Sequence, residues 1–181
     1  MPARIPPIQS KADLPPQHQA VADEVMQVFG AIRGPFSMLL HSPELAHRVL
    51  QLVTFYREKT VVEGKLRSLA ILAAVREKEA AYVWAAQVAA AKRAGLRDAA
   101  IDLLRAKGDV AALEPEERDI VTFARQLMRT NKVDQSLFDR LNNKYGAKWM
   151  VELSAATNYF AFLSGVVNTF EVPAPADGDR F

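Results

Sequence analysis

The unbroken apolar run Leu69-Ala70-Ile71-Leu72-Ala73-Ala74-Val75 constrains this chain more than any other stretch. It lies inside LRSLAILAAVREK, a segment with good helix formers throughout. A helix that is apolar on every side must be covered on every side, so the run predicts a helix deep in the fold or in a subunit interface. A second helical segment, EAAYVWAAQVAAAKRAG, follows with almost no loop. Its alanines let a neighbouring helix approach closely, and Tyr82 and Trp84 interrupt that small surface with two large rings, each bearing one polar group. The two segments read as a central antiparallel helix pair around which the rest packs.

The flanking sequence supports that reading. Residues Met1 to Asp13 hold several prolines and no periodicity, which predicts an extended arm over 1–14. Asp13 is placed to cap a first helix with Pro15 or Pro16 in its opening turn. Val21, Val25, Met26 and Phe29 give that helix an apolar face, and Gly30 stops it. Gly34-Pro35 breaks regular structure, Phe36 to His41 forms a short helical turn, and Ser42-Pro43 opens a helix running to about Lys59. The central pair runs from about Glu63 to a glycine cap at Gly95. Further helices are predicted over Arg97 to Ala106, from Glu114-Pro115, from Asp134 to Gly146, and from about Lys148 to Phe170. Pro173 and Pro175 end the last, leaving 174–181 as a loose tail. No segment alternates apolar with polar residues and no hairpin signal occurs, so the expectation is an all-α bundle of about eight helices, a single domain over 15–173.

Composition narrows the chemistry. The 181 residues include no cysteine, which removes disulfides, thiolate metal sites and thiol catalysis together. Lys+Arg 23 against Asp+Glu 21 gives a net charge of +2 with no basic block, which argues against nucleic acid as a partner. No apolar run approaches the roughly 18 residues of a membrane span, and the N-terminus lacks the apolar core of a signal peptide. A cytoplasmic protein is the expectation. No His, Asp and Glu stand at metal-ligand spacing, and neither a phosphate-binding glycine loop nor a G-x-S-x-G elbow is present.

Tyr82-Val83-Trp84-Ala85-Ala86-Gln87, followed by Ala89 to Leu96, resembles the carboxymuconolactone decarboxylase family, which also contains the AhpD-like alkylhydroperoxidases. Arg67 to Leu72 resembles the helix preceding that signature, and Arg33-Gly34-Pro35-Phe36 and Leu39 to Leu45 resemble an upstream segment of its long-armed branch. The likeness runs from about Phe29 to Pro173. It implies the AhpD-like helical fold and trimeric or hexameric assembly. The peroxidase branch uses a glutamate, a C-x-x-C pair and a histidine; here those positions hold Ser68, Ala80, Val83 and Gln87. The decarboxylase branch often shows Glu-Tyr-Glu-Trp-Ala-x-His; here the tyrosine and tryptophan remain while the acids and histidine are gone. Peroxidase chemistry of this type needs a thiolate and a resolving thiol, and alanine and valine supply neither.

The candidate residues follow from what remains. His41 is the acid–base candidate, since a histidine with an ordinary pKa of about 6.5 exchanges protons near neutrality; the competing reading is a ring that satisfies nearby backbone. Arg33 suits a carboxylate through its planar fork, or serves only as a cation at a helix C-terminus. Tyr82 and Trp84 line a pocket or belong to the core. Gln87, Ser68 and Tyr159 hydrogen-bond a ligand or are satisfied internally. Two functions are open. One is a cofactor-free enzyme performing decarboxylation, isomerisation or lactone chemistry on a small carboxylated or cyclic metabolite. The other is a non-catalytic binding or assembly protein that keeps the fold.

Overall fold

The computed structural model describes residues 2–181. Among the described residues the regular structure is entirely helical: α1 (Gln19–Phe29), α2 (Pro35–Leu39), α3 (Pro43–Glu58), α4 (Gly64–Glu77), α5 (Ala81–Arg93), α6 (Asp98–Arg105), α7 (Pro115–Thr130) and α8 (Gln135–Thr169), with three short 3-10 turns. Gly146, at φ 83° and ψ 166°, breaks α8 in two, at the position where the sequence predicts one helix to end and the next to begin. The chain divides into two compact units, Met1–Thr60 with Val166–Pro173, and Val61–Gly165 with Ala174–Phe181.

In the first unit the N-terminal arm is pinned as well as extended. The Arg4 N–H donates to the Phe170 carbonyl at 2.9 Å and the Ile8 N–H to the Ser37 carbonyl at 3.0 Å. Asp13 does not cap α1. Its carboxylate accepts the backbone N–H groups of Gln9 and Ser10, both at 2.9 Å, and stabilises a 3-10 turn; α1 starts later, at Gln19. The Ser42 hydroxyl likewise makes no cap bond to α3; Pro43 at the first position supplies the pre-set φ that starts that helix. α1 packs on α3, with Arg57 donating to the Val28 carbonyl at 2.7 Å and lying over the Phe29 ring, while His47 Nδ1 meets Glu24 at 2.7 Å.

The second unit is built on α4. Leu69 to Val75 are between 0% and 4% exposed, so the apolar run is covered within the chain and asks for no subunit interface of its own. α7, α5 and α6 all pack against it. α5 returns antiparallel across a tight connection in which the Ala80 N–H reaches the Val75 carbonyl at 3.3 Å. At its far end Gly95, at φ 84°, closes the helix: its N–H bonds the Lys92 carbonyl, and the Leu96 N–H reaches back to Ala91, both at 3.0 Å. Most other residues would be strained there. α8 is long and apolar enough, by length and composition, to cross a bilayer, which the shorter runs in the sequence do not suggest; half of the relevant window is buried within the protein.

Two carboxylates, one half-buried and one fully buried, tie the second unit together. Glu77 on α4 accepts the fork of Arg129 on α7 at 2.6 and 2.9 Å. Glu117 on α7 is 1% exposed; Arg97 donates to it at 2.5 Å, and the Lys65 ammonium lies 3.1 Å from its other oxygen at an angle that falls short of a hydrogen bond. Burial pushes the Glu117 carboxyl up, but Arg97 and Lys65 outweigh it and hold the group below the ordinary glutamate range.

Candidate functional site

The resemblance centres on the α4–α5 hairpin. Gly64 faces Ala94 across it: a Cβ added at the glycine would stand 3.6 Å from that of Ala94. Counting inward along both helices from that contact, Ser68 lies opposite Ala90, about one turn from Gln87. Ala80, Val83 and Gln87 recur at three and four residues and share one face of α5. Ala80 is 0% and Val83 3% exposed, while Ser68 and Gln87 are half-buried. Tyr82 is half-buried. Tyr159, on α8, is 5% exposed and meets Phe160 edge-to-face at 5.4 Å.

Trp84 is fully covered, and its surroundings were not legible in the sequence. Its indole N–H donates to Asp179 at 2.8 Å. The same carboxylate accepts from Arg105, on α6: Nη2 lies 3.0 and 2.9 Å from its two oxygens and Nε 3.3 Å from Oδ1. Arg105 also donates to the Arg180 carbonyl at 2.9 Å and pairs with Asp102. The Phe181 ring stands edge-on to Trp84 at 5.6 Å, with the Arg76 guanidinium 4.1 Å from its centroid. Burial raises the Asp179 carboxyl, and the Trp84 N–H, Arg105 and more distant Lys92 together bring it below the usual carboxylate value. The tail over 174–181 is therefore docked, not loose. The sequence-level error has a simple cause: a short polar segment of Pro, Gly and Asp has no periodicity, and its partners Arg76 and Arg105 read as ordinary solvated cations.

His41 and Arg33 belong to the first unit. His41 is exposed, and its Nε2 lies 2.9 Å from the Pro6 carbonyl; as a carbonyl only accepts, that nitrogen carries the proton. The ring thus satisfies backbone of the arm and leaves Nδ1 as its second polar atom. Arg33 is exposed just ahead of Gly34, which adopts φ 59° and ψ −135°. Elsewhere in the second unit, a groove of about 410 Å³ is lined by Glu116, Asp119, Arg140, Lys144 and Tyr145 among others. Burial and the hydrogen bond to Glu116 push the Tyr145 phenol up to about 12, so it stays a donor at neutral pH. Among the described residues no three His, Asp or Glu gather as a metal site.

No protein-family model and no curated protein matches the sequence. Solved structures do. An alkylhydroperoxidase AhpD core, an uncharacterized peroxidase-related protein from Ralstonia eutropha JMP134, superposes with TM-score 0.76 at 18% identity, over 97% of this chain and 93% of that one. The debrominase Bmp8, as a cysteine-to-alanine variant in complex with 2,3,4-tribromopyrrole, superposes with TM-score 0.72 at 19% identity, over 94% and 90%. The chain has the AhpD-like fold. It is a form of that fold without cysteine.

Proposed function

We propose that this protein is a cofactor-free enzyme that carries out acid–base chemistry on a small carboxylated or cyclic molecule, and that it is not a thiol peroxidase. The observation that carries the reading is the state of the motif helices: Ser68 and Gln87 remain half-buried on the α4–α5 hairpin while Ala80 and Val83, where sulfur would be required, are packed into the core. Chemistry on that surface has only oxygen and nitrogen groups to work with. The debrominase complex supports a small-ring ligand on this fold, since that protein holds a halogenated pyrrole. In this reading Tyr82, Trp84, Gln87, Ser68 and Tyr159 shape the ligand's surroundings in the second unit, while Arg33 and His41 are the anion-holding and proton-moving candidates of the first unit. The reaction is decarboxylation, isomerisation or lactone chemistry.

The test is a turnover screen with small carboxylic acids, lactones and aromatic acids, followed by His41→Ala. A general acid or base is worth about 10²–10⁴ in rate. A fall of that size with an unchanged circular-dichroism spectrum supports the assignment; an unchanged rate removes His41 from the mechanism. A second reading, a non-catalytic binding protein, is favoured by the complete burial of Trp84 and the use of its N–H by Asp179. Ligand binding without turnover across the screen would select it.

Self-association is part of the proposal. Its support is the surface of α8, where Val151 (67% exposed) and Phe162 (42% exposed) fall on one face about three turns apart.

A further inference from the structure

The docked tail brings an acid and an aromatic ring, two residues apart, to one place on the second unit. Everything on the receiving side comes from helices: Arg76 from α4, Trp84 from α5 and Arg105 from α6. The Arg105 guanidinium and the Trp84 N–H converge on a single carboxylate: Nη2 meets both Asp179 oxygens at 2.9 and 3.0 Å, Nε meets one at 3.3 Å, and the indole donates at 2.8 Å. A guanidinium binds a carboxylate through charge-assisted hydrogen bonds, and a covered indole N–H needs an acceptor. Beside them, the perpendicular Trp84 ring and the Arg76 guanidinium both contact the Phe181 ring. Gly178 lets the tail backbone lie close to α5, because a Cβ there would come within 2.7 Å of the Ala85 Cβ.

We infer that this is a binding site for a small aromatic carboxylate, and that the tail occupies it as an internal competitor: Asp179 stands where the ligand's carboxylate goes and Phe181 where its ring goes. The receiving groups are well covered or anchored, with Trp84 at 0% exposure. Phe181 is the most accessible member, at 38%, while the Asp179 and Arg105 side chains are 25% and 30% exposed. Asp179, Arg180 and Phe181 lie outside every helix, so the contacts above join the segment to the helices through side chains and one carbonyl and not through shared helical structure. An external ligand then binds with its intrinsic affinity multiplied by the fraction of time the site is open. The inference names a ligand class for the reading proposed above and rests on it only for turnover. Binding and turnover are measured separately: tight, tail-gated binding without reaction would end the enzyme reading and leave the tail's role standing.

The experiment uses the full chain and 3-phenylpropionate as probe, with propionate as the ringless control, by titration calorimetry. Asp179→Asn combined with Phe181→Ala removes the occupant's charge and ring and so weakens its hold on the site; the probe should bind at least about tenfold more tightly than to the unaltered protein. Adding Arg105→Met should abolish that gain, and propionate should bind neither form measurably. Equal affinity for the unaltered and tail-altered proteins, indifference to Arg105→Met, or no binding to either would overturn the inference. A measurement without substitutions guards against misfolding. In the unaltered protein, saturating probe should speed amide hydrogen exchange across residues 176–181, because ligand and tail exclude one another. Unchanged or slowed exchange there would overturn it as well.

Discussion

Glu117→Gln isolates the charge of a buried carboxylate while keeping its shape. In the folded protein Glu117 is 1% exposed, takes a 2.5 Å bond from Arg97 and lies 3.1 Å from the Lys65 ammonium. A charge-assisted bond contributes about 1.5–3 kcal/mol and a neutral one about 0.5–1.5, so neutralising the Arg97 bond loses roughly 1–1.5 kcal/mol, and losing the half-exposed Lys65 ion pair adds up to about 1 kcal/mol. Two effects reduce that. The amide no longer suffers the penalty of burying a full charge, and both cations keep more than a third of their side-chain surface in water, at 46% and 41%, where solvent compensates them. The net expectation is about 1–2 kcal/mol of destabilisation at pH 7, from these opposing contributions. In urea, with a slope near 2 kcal/mol per molar, the midpoint should fall by about 0.5–1 M. The pH dependence supplies the sign. The folded-state carboxyl titrates below its ordinary value of 4.5, so its stabilisation is complete above that value and disappears as pH falls through the lower folded-state value. The gap between the two proteins should therefore close in strong acid. Urea titrations at pH 7 and pH 3 check both halves. A glutamine variant as stable as the parent at pH 7, or a gap that does not narrow in acid, would refute the reasoning.

Other expectations follow from the same structure. Leu72→Ala empties a side chain that is 0% exposed at the centre of α4 and should cost about 2–5 kcal/mol in a chemical melt. Gly95→Ala places a Cβ at φ 84°, which should cost about 1–2 kcal/mol although open space surrounds it; a neutral result would mean that the α5 terminus relaxes. The purified protein should not reduce hydroperoxides with any dithiol donor, because it holds no cysteine to cycle; sustained turnover would overturn the non-peroxidase proposal. Light scattering should give a multiple of the 20.0 kDa chain mass, with Val151→Glu lowering it; a monomer at micromolar concentration would contradict the proposed assembly.

Helix content, the order of the helices and the central hairpin were open to reading in the sequence because each follows from local rules. Periodic apolar faces, prolines at first turns and a glycine past the end act within a few residues, and they located α3, α5, α7 and the break at Gly146 well. The missing sulfur is also purely a matter of sequence, and it limits the chemistry whatever the fold. Caps were read less well. Asp13 and Ser42 are the right residue types at the right spacing, but each backbone had several ways to satisfy its N–H groups, and packing chose among them. Only the tertiary structure decided what covers the two most informative features. The Leu69–Val75 run could have been buried by a second copy or by its own chain, and α5, α6 and α7 cover it from within. Trp84 could have faced a cavity, and instead a carboxylate ninety-five positions away occupies its N–H. Those outcomes depend on which distant surfaces meet, and contacts at such separation leave no periodic trace in the chain.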